Sequence, residues 1–325
     1  MNSPFFIIGC GRSGNTLLRV MLNMHSQIAI PLESLFIIDY LRCSRSLSLE
    51  TLKRLIVKEI EIKEWDMNVA LGDIQDCNTI VDVIERLHQL YLHKEKKTIW
   101  GQKTPRFIRY GEALKDVFPP AKFIHIIRDP RAVVNSLVKS PVHRSTFYHG
   151  ALRWQRDVQF GFNLKKKYPD SVLEIFYEEL VVSPGIALQR ICDFLNISYE
   201  ENMLVYHNKN EYEFSKQFYG DSVLNVKNPI MPQRSNAWKG EMKKYQKELV
   251  ESICGPLMET YGYIKECEVN KNNGLYIASL KVKRIMNFFF QIAHYMIRRF
   301  SYIKCFLRRK LVLGLLFSDI AERDY

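Results

Sequence analysis

Apolar residues follow two different periods along this chain. An unbroken apolar run at residues 5–8 and largely apolar runs at 122–127 and 172–177 recur along the chain, with shorter extended stretches at 28–31 and 98–103. Runs of this length, rich in Ile, Val and Phe, predict buried strands of a parallel sheet. Between them, apolar residues return every three or four positions over 47–62, 79–93, 148–167, 184–195 and 248–263, which predicts helices. Trp154 and Phe160 are placed on the apolar side of the helix over 148–167. Strands alternating with helices predict an α/β fold with a central parallel sheet wrapped by helices. This pattern ends near residue 264. A polar stretch follows, and then 275–317 alternates apolar-aromatic blocks with basic clusters. The expected organisation is therefore a domain over 1–264 and a basic, aromatic-rich helical extension over 265–325.

Charge changes the picture mainly for the extension. The 325 residues carry a formal net charge of +12, which points to anionic partners. Residues 271–325 hold 11 Lys/Arg and 3 Asp/Glu, or 11 − 3 = +8, leaving 12 − 8 = +4 for the body. The apolar block 285–297 is bounded by Lys281, Lys283 and Arg284 before it and Arg298 and Arg299 after it. It is too short to span a bilayer. Two readings stand side by side: helices lying in an anionic membrane interface, or a helical pair packed on the domain or on a second copy of the chain. No nucleic-acid-reading element is apparent in the pattern, so nucleic acid is not an expected partner. The seven cysteines are scattered, odd in number and without a CxxC pair, which argues for a reducing compartment over a disulfide framework or zinc site. The start Met1-Asn2-Ser3-Pro4 runs straight into the first strand and reads as neither a leader nor an anchor. A cytoplasmic protein, peripheral on a membrane through its tail, is the expectation.

Candidate chemistry begins at the first strand's end. Gly9-Cys10-Gly11-Arg12-Ser13-Gly14-Asn15-Thr16 leads directly into a helix. Glycines allow close backbone approach to oxyanions, and the free amides of a helical first turn favour negative charge. Arg12 adds a fixed cation, while Ser13 and Thr16 add hydroxyl donors. The loop resembles a nucleoside-triphosphate P-loop but lacks its Gly-Lys-Ser/Thr end, so no lysine reaches terminal phosphates. Arginine in that place suggests a phosphate-like group transferred without a metal. Glu33, among Leu32, Leu35 and Phe36, reads as a partly buried carboxylate. Lys103 stands at a strand end with Pro105 opening the next helix. Lys122–Ile127 is followed by Arg128-Asp129-Pro130, in which Asp129 can cap a helix with Pro130 at its first position.

The stretch from Phe6 to Leu18 resembles the 5′-phosphosulfate loop of sulfotransferases, which use 3′-phosphoadenosine 5′-phosphosulfate (PAPS). That resemblance covers about residues 4–264 and implies a P-loop-like three-layer sandwich. It implies that Arg12, Ser13, Gly14, Asn15 and Thr16 bind the 5′-phosphosulfate, and that Arg128 and Ser136, eight residues apart, hold the 3′-phosphate. Arginine suits that task because its planar fork meets phosphate oxygens in pairs. Glu33 matches the glutamate that is general base in tyrosylprotein sulfotransferases. Lys103 would stabilise charge on the leaving nucleotide. The histidine that small-molecule sulfotransferases carry just after this lysine is absent from Thr104-Pro105-Arg106, which moves the base assignment to Glu33. Tyr177, before Glu178-Glu179-Leu180, is a nucleotide-contact candidate. Ser222, Trp238 and Lys239 fall in the family's nucleotide-covering stretch, where Trp238 packs near adenine or against the fold. The implied function is sulfuryl transfer from PAPS to an acceptor hydroxyl, with a glycan or glycolipid favoured over tyrosine or a small alcohol, and no metal. Two rivals remain at this stage: a P-loop-like phosphotransferase, and a non-catalytic, membrane-associated nucleotide-binding protein.

Overall fold

The computed structural model describes residues 3–43, 45–140, 143–208, 226–267, 274–298 and 300–315. Five strands form one parallel sheet: β1 (Phe5–Ile8), β2 (Ile28–Ala29), β3 (Ile99–Lys103), β4 (Lys122–Ile127) and β5 (Val172–Phe176), in the order β2-β3-β1-β4-β5. β1 lies at the centre, paired in parallel with β3 and with β4. Its residues are fully buried and alternate between two cores. Phe6 and Ile8 pack with Trp100, Phe107 and Phe123 on one face. Phe5 and Ile7 pack with Leu18, Ile124 and Ile175 on the other. A sheet covered on both faces makes a three-layer sandwich, and this is why its strands read as largely apolar runs.

The helices are α1 (Asn15–Asn23), α2 (Leu35–Leu41), α3 (Leu49–Ile56), α4 (Ile60–Glu64), α5 (Ile80–Glu95), α6 (Gly111–Val117), α7 (Pro130–Lys139), α8 (Phe147–Lys167), α9 (Tyr177–Val182) and α10 (Pro184–Leu195). Helices Trp238–Glu241, Lys244–Thr260, Gly274–Arg298 and Phe300–Val312 follow. The loops after β1, β3, β4 and β5 leave the same end of the sheet, because all strands are parallel. Parallel sheets bind ligands at that carboxyl end, where the order reverses. The reversal lies at β1.

Three sequence expectations are corrected. The single helix expected over 47–62 is two, broken at Glu59, whose backbone is extended (φ −68°, ψ 130°). The break serves a tertiary contact, because Glu59 accepts a hydrogen bond from Tyr40 and pairs with Arg309. Phe160 is 38% exposed; the buried stripe of α8 runs through Trp154, Val158, Gly161 and Leu164 instead. Tyr177 opens α9 where a strand end was expected.

The extension's second helix packs on the domain. Arg309 donates to Asp39 at 2.7 Å and to Glu59 and Glu61 at 2.6 Å each, and Lys310 pairs with Asp39. Leu313 and Leu315 then enter the same core as Phe6. Helix Phe300–Val312 is thus fastened to α2 and α4 by charge and to the sheet's core by apolar burial.

Candidate active site

The loop after β1 is bent by three left-handed or glycine-only conformations: Gly9 (φ 153°), Arg12 (φ 73°) and Gly14 (φ 101°). A Cβ at Gly14 would sit 2.4 Å from the Tyr177 ring, and one at Gly9 2.6 Å from the Ile126 carbonyl. Arg12 has a Cβ and still adopts positive φ, a conformation that costs on the order of 1 kcal/mol and clusters at functional sites. The turn is closed by Ser13 N donating to Cys10 O at 3.3 Å and by Asn15 Nδ2 donating to the same oxygen at 2.9 Å. Gly14 then caps α1, whose first turn contains no acidic residue, so its amide dipoles face the loop uncompensated. Ser13 is fully buried, and its Oγ has no hydrogen-bond partner among the described residues. Thr16 is half-buried in the first turn.

Arg12 joins the two phosphate motifs, which lie far apart in sequence. Its Nε donates to Ser136 Oγ at 2.9 Å. Arg128 donates to Arg12 O at 3.1 Å and to Arg234 O at 3.0 Å, and its guanidinium lies 4.1 Å from the centre of the Tyr177 ring. Asp129 caps α7 by accepting from Arg131 N at 2.8 Å, with Pro130 at the first helical position. Glu178 braces this turn, accepting from Asp129 N at 3.1 Å and from the Tyr263 hydroxyl at 3.0 Å; burial pushes its carboxyl up. Arg12, Ser13, Gly14, Ser136, Arg128 and Tyr177 are therefore one continuous constellation. An anion with several oxygens fits it on two grounds: the orphaned buried hydroxyl of Ser13, and Arg128 Nε, which is buried without a hydrogen bond.

Trp238 and Lys239 stand elsewhere. Trp238 is 1% exposed and packs beneath Arg131, whose guanidinium is 4.0 Å from its ring centre. Of its two expected places, the structure gives packing against the fold. Arg131 is itself held by Asp129 and Glu251. Lys239 Nζ lies 3.2 Å from Glu266. Ser222 lies outside the described residues.

The carboxylate and the lysine meet each other. Lys103 Nζ donates to Glu33 Oε1, at the carboxyl end of β3. The approach is fixed by a second set of contacts that the sequence did not announce. Arg19 Nε donates to Ile30 O and Pro31 O, both at 3.0 Å. Leu32 O accepts from Trp65 Nε1 at 2.9 Å and Gln102 Nε2 at 3.1 Å. Ser34 N donates to Thr104 Oγ1 at 3.0 Å. Loop 30–34 is thereby pinned across the ends of β2 and β3. Lys103 is 1% exposed, while the Glu33 side chain stays 26% exposed. Burial pushes the Lys103 ammonium below its ordinary pKa, Arg19 adds to this, and Glu33 opposes it.

His143 and Arg153 also border the loop. A Cβ at Gly11 would lie 2.9 Å from Arg153 Nη2 and 3.9 Å from His143 Cε1. Burial, then the charges of Arg153, Arg12 and Arg284, push the His143 pKa well below the usual histidine range, so the ring is neutral. The only local signal for Arg153 was Asp157 four residues on, its partner at 3.5 Å.

Chemically, the arrangement offers an oxyanion cradle after β1 and a carboxylate–ammonium pair at the end of the neighbouring strand β3. The sequence profile described as "Sulfotransferase family" matches residues 4–201, more than half of the chain. Over 274 residues the chain is 26% identical to protein-tyrosine sulfotransferase A of Caenorhabditis elegans, spanning 80% of this chain and 67% of that one. Protein-tyrosine sulfotransferase 1 of Danio rerio is 24% identical over 271 residues, spanning 79% and 71%. In fold, the chain is similar to the sulfotransferase domain from the Synechococcus PCC 7002 olefin synthase, with a TM-score of 0.55 at 23% identity, covering 77% of this chain and 94% of that one. The phosphotransferase and non-catalytic readings fall away with these likenesses. The chain belongs to the sulfotransferase family, and the protein is a PAPS-dependent sulfotransferase.

Proposed function

We propose that this sulfotransferase carries the sulfuryl group of PAPS to the hydroxyl of a protein tyrosine. The observation that carries the reading is the Glu33–Lys103 pair, set at the end of β3, the parallel neighbour of the strand that leads into the Arg12 loop. In this reading Arg12, Ser13, Gly14, Asn15 and Thr16 hold the 5′-phosphosulfate, with the α1 amides turned toward it. Arg128 and Ser136 hold the 3′-phosphate, and Tyr177 supports Arg128 from below. Arginines and amides neutralise the donor's charge, the task that magnesium performs in kinases.

Glu33 accepts the proton as the acceptor's O–H bond breaks and its oxygen forms a bond to sulfur. The bond between sulfur and the bridging oxygen breaks, and the electron pair stays with the 5′-phosphate. Lys103 meets that growing charge, and its burial makes the interaction stronger than it would be in water. The exposed edge of Glu33 leaves room for the acceptor. The names of the relatives above support tyrosine over the glycan or glycolipid that the sequence alone favoured.

The test is transfer of label from labelled PAPS to a tyrosine peptide, to its phenylalanine counterpart and to an oligosaccharide, each with and without a chelator. Label is expected on the tyrosine peptide alone, undiminished by the chelator. Label on the oligosaccharide instead would overturn the acceptor, and chelator-sensitive turnover would overturn the account of charge neutralisation.

A further inference from the structure

The extension carries an apolar face that the domain does not cover. On helix Gly274–Arg298, Leu280 is buried and Arg284 and Asn287 are half-buried, at positions that recur every three or four residues. This is the face toward the domain: Asn287 Nδ2 donates to Arg144 O at 2.8 Å, and Lys281 Nζ lies 5.5 Å from the Tyr148 ring centre. On the other side Val282, Ile285, Met286, Phe289, Ile292 and Met296 form a stripe at helical spacing, each 44–65% exposed. A stripe of this size rarely faces water alone.

Charge selects what covers it. Residues 274–315 contain nine Lys/Arg and no Asp/Glu. Four of the nine are turned to the domain: Arg309 and Lys310 meet the buried acids of α2 and α4, and Lys281 and Arg284 lie on the domain-facing side. A two-fold interface would set this face against its own copy, so that basic side chains meet a surface with no acidic residue from 274–315 to pair them. An anionic lipid surface meets both properties at once: apolar side chains enter the acyl boundary while basic side chains reach the headgroups. Among the described residues no helix is long and apolar enough to cross a membrane. The helix is thus suited to lying on a bilayer.

We propose that the exposed stripe of helix Gly274–Arg298 lies in the headgroup region of an anionic membrane. The extension is fastened on both flanks of the site, at Arg144 just before α8 and at Asp39 in α2, which begins two residues after Glu33. Membrane docking therefore holds the active site close to the lipid surface. The inference stands independently of the acceptor's identity.

Sedimentation of the full chain with vesicles of phosphatidylcholine, alone or mixed with phosphatidylserine, tests this. Partition into the mixed vesicles is expected to be at least roughly tenfold greater, with the difference shrinking as salt rises. The double variant Ile285→Glu/Phe289→Glu alters two exposed positions and is expected to keep the wild-type melting temperature while losing roughly tenfold or more of that partition. Independently, Phe289→Trp should move its emission to shorter wavelength when mixed vesicles are added. The proposal is overturned by absent or equal pelleting with the two vesicle types, by undiminished pelleting of the double variant, by unchanged tryptophan emission, or by a stable solution dimer that the double variant dissociates.

Discussion

Two ion-pair clusters tie distant parts of this chain together, and they are built differently. At the active site, Lys103 pairs with Glu33, and the carboxylate side chain remains 26% exposed. Under the extension, Arg309 and Lys310 meet Asp39, Glu59 and Glu61, and all five residues are at most 3% exposed. The second cluster has a formal charge of 2 − 3 = −1 when every group is ionised. Burial, reinforced by the neighbouring carboxylates and opposed by Arg309, pushes Glu61 up to about 7. In the proposed mechanism the first pair trades a proton with the acceptor, and its exposed carboxylate edge leaves one member within reach of it. A fastening excludes water from every member, and burial there favours the protonated form of the carboxylate in excess.

That contrast breaks most readily at Arg309. Arg309→Met leaves three buried acids facing Lys310 alone, so the unfolding free energy in urea should fall by about 3–5 kcal/mol. A loss as small as that of a surface pair would show that the extension is not fastened by this cluster. Lys103→Ala should show the opposite pattern, with kcat lower by about 10²–10³-fold and a much smaller loss of stability, because Glu33 remains hydrated at its exposed edge.

The pH dependence sharpens the same comparison. The carboxyl of Glu61 has an ordinary pKa of 4.5 and a folded value of about 7, so the folded chain binds the proton more tightly. The contribution of this group is complete below 4.5 and is lost as pH rises through about 7, by up to roughly 3 kcal/mol in all. Urea titrations at a series of pH values should show this decline, and Glu61→Gln should flatten it. A Glu61→Gln profile identical to the wild type would contradict the assignment. The smallest effect is expected at Ser136→Ala, which removes one hydroxyl from the donor site: about tenfold weaker PAPS binding by titration calorimetry, at unchanged kcat.

How much of this was legible beforehand follows from how far apart the interacting residues lie. The Arg12 loop could be read because strand, turn and helix N-terminus are contiguous, and the chemistry of oxyanion binding needs nothing else. Arg128-Asp129-Pro130 could be read for the same reason. What could not be read is how these motifs touch: the Arg12–Ser136 bond spans 124 positions, and the Arg128–Arg234 bond spans 106. Glu59 sits in a sequence that reads as continuous helix, and only Arg309, 250 residues on, explains why the helix breaks there. Trp238 adjoins Lys239 in a family-like stretch, yet its ring lies beneath Arg131, a partner no local pattern names. Phe160 failed for a different reason: α8 buries small Gly161 against His125, so its apolar stripe passes one residue to the side of the larger ring.

In the proposed mechanism Glu33 is the base beside a donor site that is complete without it. Glu33→Gln keeps the side chain's shape and removes its ability to take a proton. The decisive measurement is PAPS affinity by calorimetry beside kcat with a tyrosine peptide, on the same preparation. The expected result is an affinity within a factor of about three of the wild type and a kcat reduced by about 10²–10⁴-fold. Full turnover in Glu33→Gln would contradict it.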